Sequence, residues 1–176
     1  MNLLNRRVGV LSLITILILA TGFGALGAQY VVGSGNGDWW TTYPDQSTGK
    51  GGEVNHPAWV LDALKSKPVV IYVHGGCSYC QPQTEALAKI VDEMGNKFTY
   101  YNLSSGDKRS GEALQAYDPN GGPRMLLPLT VIVTRASNSE GKVETAWHST
   151  DQITGEGWIK NYLEDALSYY GENSAK

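Results

Sequence analysis

The sequence predicts an α/β domain: a central mixed sheet of about four strands flanked by helices. Three observations carry that expectation. Helical and strand-like patterns alternate through residues 54–176 in the order α-β-α-β-α-β-β-α. The first strand pattern, Val69–Val73, is a continuous apolar and largely β-branched run, as expected of a strand buried on both faces. The last two strand patterns are separated only by a short polar turn, which makes them a hairpin. Strands joined through helices imply parallel pairing, and the hairpin implies an antiparallel end.

The elements follow in order. His56-Pro57 opens a short helix with Val60, Leu61 and Leu64 on one face, closed by Lys67-Pro68. After Val69–Val73, Gly75-Gly76 breaks the strand. Apolar residues then recur at Ala86, Leu87, Ile90, Val91 and Met94 before Gly95, predicting a helix with a glycine C-cap. Phe98–Leu103 reads as the second strand, Ser110–Tyr117 as a short helix and Pro119–Pro123 as a turn-rich loop. Leu126–Thr134 is a third strand entered through a proline, "ASNSEGK" is the turn, and Val143–His148 returns. Trp158, Ile159, Tyr162, Leu163, Ala166 and Leu167 mark an amphipathic closing helix.

The first 28 residues stand outside this pattern. Arg6 and Arg7 precede Val8–Gly27, which carries no charge and is long enough as a helix to cross a hydrocarbon core of ~30 Å. The segment is read as a transmembrane anchor, or as a signal peptide cleaved after the small residues Ala25-Leu26-Gly27. The positive end stays cytoplasmic, so the remainder is exported: tethered to the membrane, or secreted or periplasmic if the segment is cleaved. Gln29–Glu53 is rich in glycine and polar residues and reads as a linker. Its aromatics Trp39, Trp40 and Tyr43 are expected to pack on the domain. Net charge is −3 with the basic residues scattered, which excludes an electrostatic nucleic-acid surface.

The chemistry concentrates in Cys77-Ser78-Tyr79-Cys80, the only cysteines of the chain, set where a buried strand hands over to a helix. The first amides of a helix lack internal acceptors and carry partial positive charge. A thiolate placed there is stabilised, which makes Cys77 the nucleophile. Two intervening residues bring Cys80 within reach of the Cys77 sulfur, to resolve a mixed disulfide. Tyr79 occupies the variable pair. Pro82, near the start of the helix, removes an amide that has no partner there anyway.

With the strand "VVIYV", the CSYC pair at the helix start and Leu127-Pro128 before "LTVIV", residues Val54–Leu167 resemble the thioredoxin-like family. The resemblance implies a thioredoxin-like fold for residues 54–176 and thiol–disulfide exchange with the thiols and disulfides of other proteins. It implies no bound organic cofactor and a second, unidentified redox partner. It also implies a cis bond before Pro128, lying beside the cysteines, with Leu127 and Pro128 presenting backbone to a substrate. The interval from Cys77 to Pro128 is too short for the helical insertion of periplasmic disulfide oxidants. Three departures stand out. Ile71 occupies the place of a buried acid that assists the second cysteine, Gly76 that of a tryptophan, and Ser-Tyr that of Gly-Pro. Slower turnover is the expected consequence.

Other readings remain beside this one. The fold can serve as a non-catalytic binding module, or as a metallochaperone, although zinc needs about four ligands and only His56, His74 and His148 are available. No metal site is assigned. His74, close to Cys77, either lowers the thiol pKa as a cation or faces solvent; His148 is expected to be structural or exposed. Trp59, Trp147 and Trp158 read as packing. Asn102-Leu103-Ser104 fits a glycosylation sequon but falls in a predicted core strand, so it is expected to be unused.

Overall fold

The computed structural model describes residues 39–122, 124, 126–138 and 140–174. The predicted anchor or signal at 1–28 and the first part of the linker lie outside the described residues. Among the described residues no helix is long and apolar enough to cross a membrane.

The predicted element order is observed: α1 (Ala58–Leu64), β1 (Val69–His74), α2 (Gln81–Met94), β2 (Thr99–Ser104), α3 (Lys108–Tyr117), β3 (Leu129–Ser137), β4 (Val143–Thr150) and α4 (Gly155–Asn173). The strands form one mixed sheet in the order β2-β1-β3-β4. β1 pairs parallel to β2, antiparallel to β3, and β3 pairs antiparallel to β4. The rule that helix-joined strands run parallel therefore holds for β1 and β2 and fails for β2 and β3. α3 ends beside the last residues of β4, where Ser149 Oγ donates to the Tyr117 carbonyl, and the loop 118–128 then delivers the chain so that β3 starts opposite the end of β1, with Leu129 against Val73.

β1 lies in the middle, with alternate side chains feeding two cores. Val69, Ile71 and Val73 join Val60, Leu64, Leu114, Val131 and Trp147 on the side of α1 and α3. Val70 and Tyr72 join Leu87, Ile90, Ile132, Ile159 and Leu163 on the side of α2 and α4. This two-sided burial is the physical content of the uninterrupted apolar run. Deleting one such side chain to alanine costs ~2–5 kcal/mol.

Three local expectations need correction. Leu61 is 39% exposed, because on a seven-residue helix it lies ~100° round from Val60 and turns away from the sheet. Gly95 does cap α2, but in right-handed conformation, running into a 3-10 turn at Gly95–Lys97 rather than a left-handed cap. Asn102 is exposed on edge strand β2, so burial does not keep it from modification.

The larger correction concerns the linker. Residues 39–53 form a strap built into the domain. Trp39 and Trp40 are 0% and 1% exposed, and Trp40 exchanges backbone hydrogen bonds of 2.9 Å in both directions with Trp147 on β4. Extended backbone sends consecutive side chains to opposite faces. Trp39 accordingly enters the α2/α4 core beside Tyr162 and Tyr169, while Trp40 enters the α1/α3 core against Trp147. Glycine content marked this stretch as linker; among the described residues Gly49 and Gly51 stand in turns, Gly51 at φ 72°.

His56 sits just before α1, its Nδ1 2.9 Å from the hydroxyl of Tyr117 on α3. Burial pushes its pKa from 6.5 down to about 4. The folded form thus refuses a proton that the unfolded chain accepts. The associated stability is complete above pH ~6.5 and falls as pH drops toward 4, by up to ~1.4 kcal/mol per unit and about 3 kcal/mol in total. Urea unfolding at pH 7, 5.5 and 4 should show this loss, and His56→Gln should flatten it. Equal slopes for the two proteins would exclude His56 as the source.

Candidate redox site

β1 ends at His74, and Gly75-Gly76 turns the chain toward Cys77. Gly76 adopts φ +67°, a conformation that disfavours any side chain, although a Cβ there would meet open space. This local turn accounts for glycine where the resembled family has tryptophan. Cys77 is extended, and Ser78–Cys80 form a single 3-10 turn that continues directly into α2. The helix start foreseen at the cysteines is thus a 3-10 turn first and an α-helix second. Gln81 and Pro82 open α2, where Pro82 costs little.

The two sulfurs are 2.8 Å apart, both as free thiols, with Cys77 exposed and Cys80 1% exposed. The Cys80 thiol, donating to the Cys77 sulfur, holds the Cys77 pKa below the ordinary thiol range, and the backbone of Cys80 and Tyr79 adds to this. Burial, together with the same contact, pushes Cys80 upward. The pair is therefore asymmetric, with the Cys77 thiol the more acidic and the Cys80 thiol the less. The Cys80 side chain is the largest single cause of the Cys77 shift, and the backbone at the helix start acts in the same direction.

That ordering of causes can be measured. Cys80→Ala removes the donor and should move the pH profile of Cys77 alkylation upward. Cys80→Ser, which keeps a hydroxyl, should move it less. Coincident profiles for wild type and Cys80→Ala would leave the backbone alone responsible.

A buried polar clamp fixes Cys80. Tyr72 on β1 is 0% exposed, and its hydroxyl donates to the Cys80 carbonyl at 2.9 Å. The Thr84 hydroxyl reaches the same carbonyl at 3.1 Å and lies 2.9 Å from the Tyr72 oxygen. Burial pushes the Tyr72 phenol up, keeping it a neutral donor. Gln83 extends the network: its Nε2 donates to Thr130 Oγ1 at 2.9 Å, and its Oε1 accepts from the amides of Thr154 and Gly155 at 3.1 and 3.3 Å. One buried amide thereby ties α2 to β3 and to the start of α4.

The Leu127–Pro128 bond is cis. Pro128 immediately precedes Leu129, which pairs with Val73, so it lies at the sheet end where β1 runs toward the cysteines. The space beside Gly75 is bounded by Leu127, whose Cδ1 would be 3.6 Å from a Cβ placed there. Tyr79 and Leu126, 57% and 51% exposed, are among the few large apolar side chains left open to solvent. Cys77, Cys80, Leu127 and Pro128 are therefore gathered at one end of the sheet.

Ile71 is fully buried among Val73, Val131 and Leu129, and no carboxylate acts on either sulfur among the described residues. The His74 ring stacks on Tyr72, with centroids 5.2 Å apart, and its Nδ1 accepts from the Gly76 amide at 3.2 Å. It braces the turn. His148 is buried between Trp40 and Tyr162, its ring centroid 4.2 Å from each. Among the described residues no three His, Cys, Asp or Glu side chains gather in a cluster able to hold a metal ion.

Compared with known proteins, the chain matches no family model and no curated relative. What stands is an α/β fold with a mixed four-stranded sheet and a close cysteine pair at the end of its central strand, compatible with a thioredoxin-like C-x-x-C.

Proposed function

We propose that the protein is a thioredoxin-like thiol–disulfide oxidoreductase that exchanges disulfides with other proteins outside the cytoplasm, tethered by or exported through residues 1–28. The observation that carries this reading is the asymmetric pair: an exposed, acidified Cys77 2.8 Å from a buried, protonated Cys80. An idle structural staple requires neither exposure nor a depressed pKa.

The Cys77 thiolate attacks one sulfur of a partner disulfide, forming the Cys77–partner bond as the partner's S–S bond breaks and its second sulfur leaves as thiolate. Cys80 then loses its proton and attacks Cys77 Sγ. The Cys77–Cys80 bond forms, the partner's first sulfur leaves, and the partner's two sulfurs take up two protons. The partner gains two electrons and the pair loses two; the reverse sequence oxidises a dithiol. Leu127 and Pro128 bind the partner's extended backbone beside Cys77, and exposed Tyr79 borders it. A second thiol protein restores the pair, with no bound organic cofactor. With Ile71 where a buried acid would assist, Cys80 must give its proton to water or to a distant group, so the resolving step quickens as pH rises.

Equilibration with glutathione couples of graded poise, followed by alkylation, tests the reading. Cys77 and Cys80 should disappear together in one two-electron transition, tenfold in equilibrium constant per ~30 mV. The protein should also accelerate reduction of a reporter protein disulfide by dithiothreitol. Thiols that never pair, or pair without accelerating exchange, would favour a binding module.

A further inference from the structure

On the face of the sheet away from α2, the walls of α1 and α3 enclose a cleft of about 770 Å³, within the range of small-molecule sites. We propose that this cleft is a binding site for a small monoanionic organic carboxylate carrying an aromatic or branched apolar body. The site does not depend on the thiol chemistry.

The α1 wall is apolar. It presents Trp59 and Leu61, whose 39% exposure faces the cleft. The α3 wall is polar and presents Lys108, Arg109, Glu112 and Gln115. The walls are joined by Trp59 Nε1 donating to Glu112 Oε2 at 2.8 Å, which fixes the indole plane and leaves Glu112 engaged. Trp59 also packs edge-on against Tyr101 at 4.7 Å, so its rotamer is held before any ligand arrives. A wall already ordered loses little freedom on binding.

The charge decides the ligand class. The Arg109 guanidinium carbon lies 5.5 Å from the ring centroids of both Trp59 and Tyr101, and no carboxylate pairs with it among the described residues. A guanidinium remains charged at any ordinary pH and offers a planar fork matched to a carboxylate. Lys108 approaches Glu112 at 3.8 Å, so those two charges largely offset each other. His56 contributes no charge, since burial holds it neutral down to about pH 4. One uncompensated cation beside an apolar indole and a leucine suits a singly charged anion with hydrocarbon behind it. A phosphate dianion would want more positive charge than the cleft supplies.

Titrating the full-length chain with 2-naphthoate, against its neutral twin 2-naphthalenemethanol and against inorganic phosphate, tests this. Calorimetry gives affinity, and the indole Nε1–H resonance of Trp59 reports the place. 2-Naphthoate should bind saturably at about 1 mM or tighter and shift the Trp59 resonance. The neutral alcohol, phosphate and Arg109→Ala should each be weaker by at least about tenfold. Leu61→Glu, on an exposed position, should abolish binding with the fold intact, which covers the case of an Arg109 variant that does not fold. Equal affinity for the alcohol or for phosphate, unchanged affinity in Arg109→Ala, or shifts that leave Trp59 untouched would overturn the proposal.

Discussion

In extracts exposed to the Cys80→Ser variant, partner proteins should accumulate as mixed disulfides on Cys77, at least about tenfold above wild type, and Cys77→Ser should capture essentially none. The asymmetry follows from position. Cys77 is exposed at the end of the turn from β1, and its thiol is the one made more acidic. Cys80 is nearly inaccessible, with its carbonyl clamped by Tyr72 and Thr84, so it can reach only a sulfur delivered to it by Cys77. Replacing its thiol by a hydroxyl stops resolution while leaving attack possible. Adducts should vanish with dithiothreitol and should form faster as pH rises, until Cys77 is fully thiolate. Capture by Cys77→Ser at the level of Cys80→Ser would reverse the roles and remove the basis of the site assignment.

The parts of this site that were legible in the sequence are those whose signal is local. Two cysteines at a strand–helix junction, and a proline at the entry to a strand, are each readable within a few residues. The parts that were not legible depend on register between distant elements. Tyr72 looks like one more apolar member of a buried strand; only the packing of α2 across β1 brings its hydroxyl to the Cys80 carbonyl. Gln83 did leave a trace: it stands on the same helical stripe as Ala86, Leu87 and Ile90, and a polar residue on a core stripe demands buried partners. Its partners, Thr130, Thr154 and Gly155, lie far along the chain.

The fold divides along the same line. Element order and the hairpin came from periodicity, which is local. The antiparallel direction of β3 depends on where α3 and the loop 118–128 deliver the chain, which no periodic signal encodes. Leu61 shows a finer limit: a helix of seven residues is too short for i, i+1 and i+4 apolar positions to say which of two faces is the buried one. The strap was misread for a compositional reason. Glycine and polar residues marked 29–53 as linker, whereas the expectation that Trp39, Trp40 and Tyr43 pack on the domain, which rests on their apolar surface, holds.

That misreading has a direct consequence for where the domain can be cut. A chain begun at Val54, the boundary that composition suggests, should fold poorly, whereas one begun at Gln29 should fold well. Removing the strap takes Trp39 out of the α2/α4 core and Trp40 out of the α1/α3 core. It also leaves the Trp147 backbone on β4 without its two hydrogen bonds to Trp40. The rings of Trp147, His148 and Tyr162 that these indoles cover would then meet water. Replacing a buried tryptophan by alanine costs ~3–5 kcal/mol. Both losses bear on one domain whose whole stability is of order 5–15 kcal/mol. In the chain begun at Gln29, Trp40→Ala should lower the free energy of unfolding by ~3–5 kcal/mol, by chemical denaturation. Trp39 packs on Tyr162 and Tyr169 and Trp40 on Trp147 and His148, but the two are adjacent in the chain and His148 stacks on Tyr162, so loss of both indoles should depart from additivity. The thiol pair gives an independent readout, because loosening of the core should expose Cys80 to alkylation well before Cys77 changes. If the chain begun at Val54 unfolds at the same denaturant concentration as the longer one, the strap is an ornament on a domain complete without it, and the sequence-derived boundary stands.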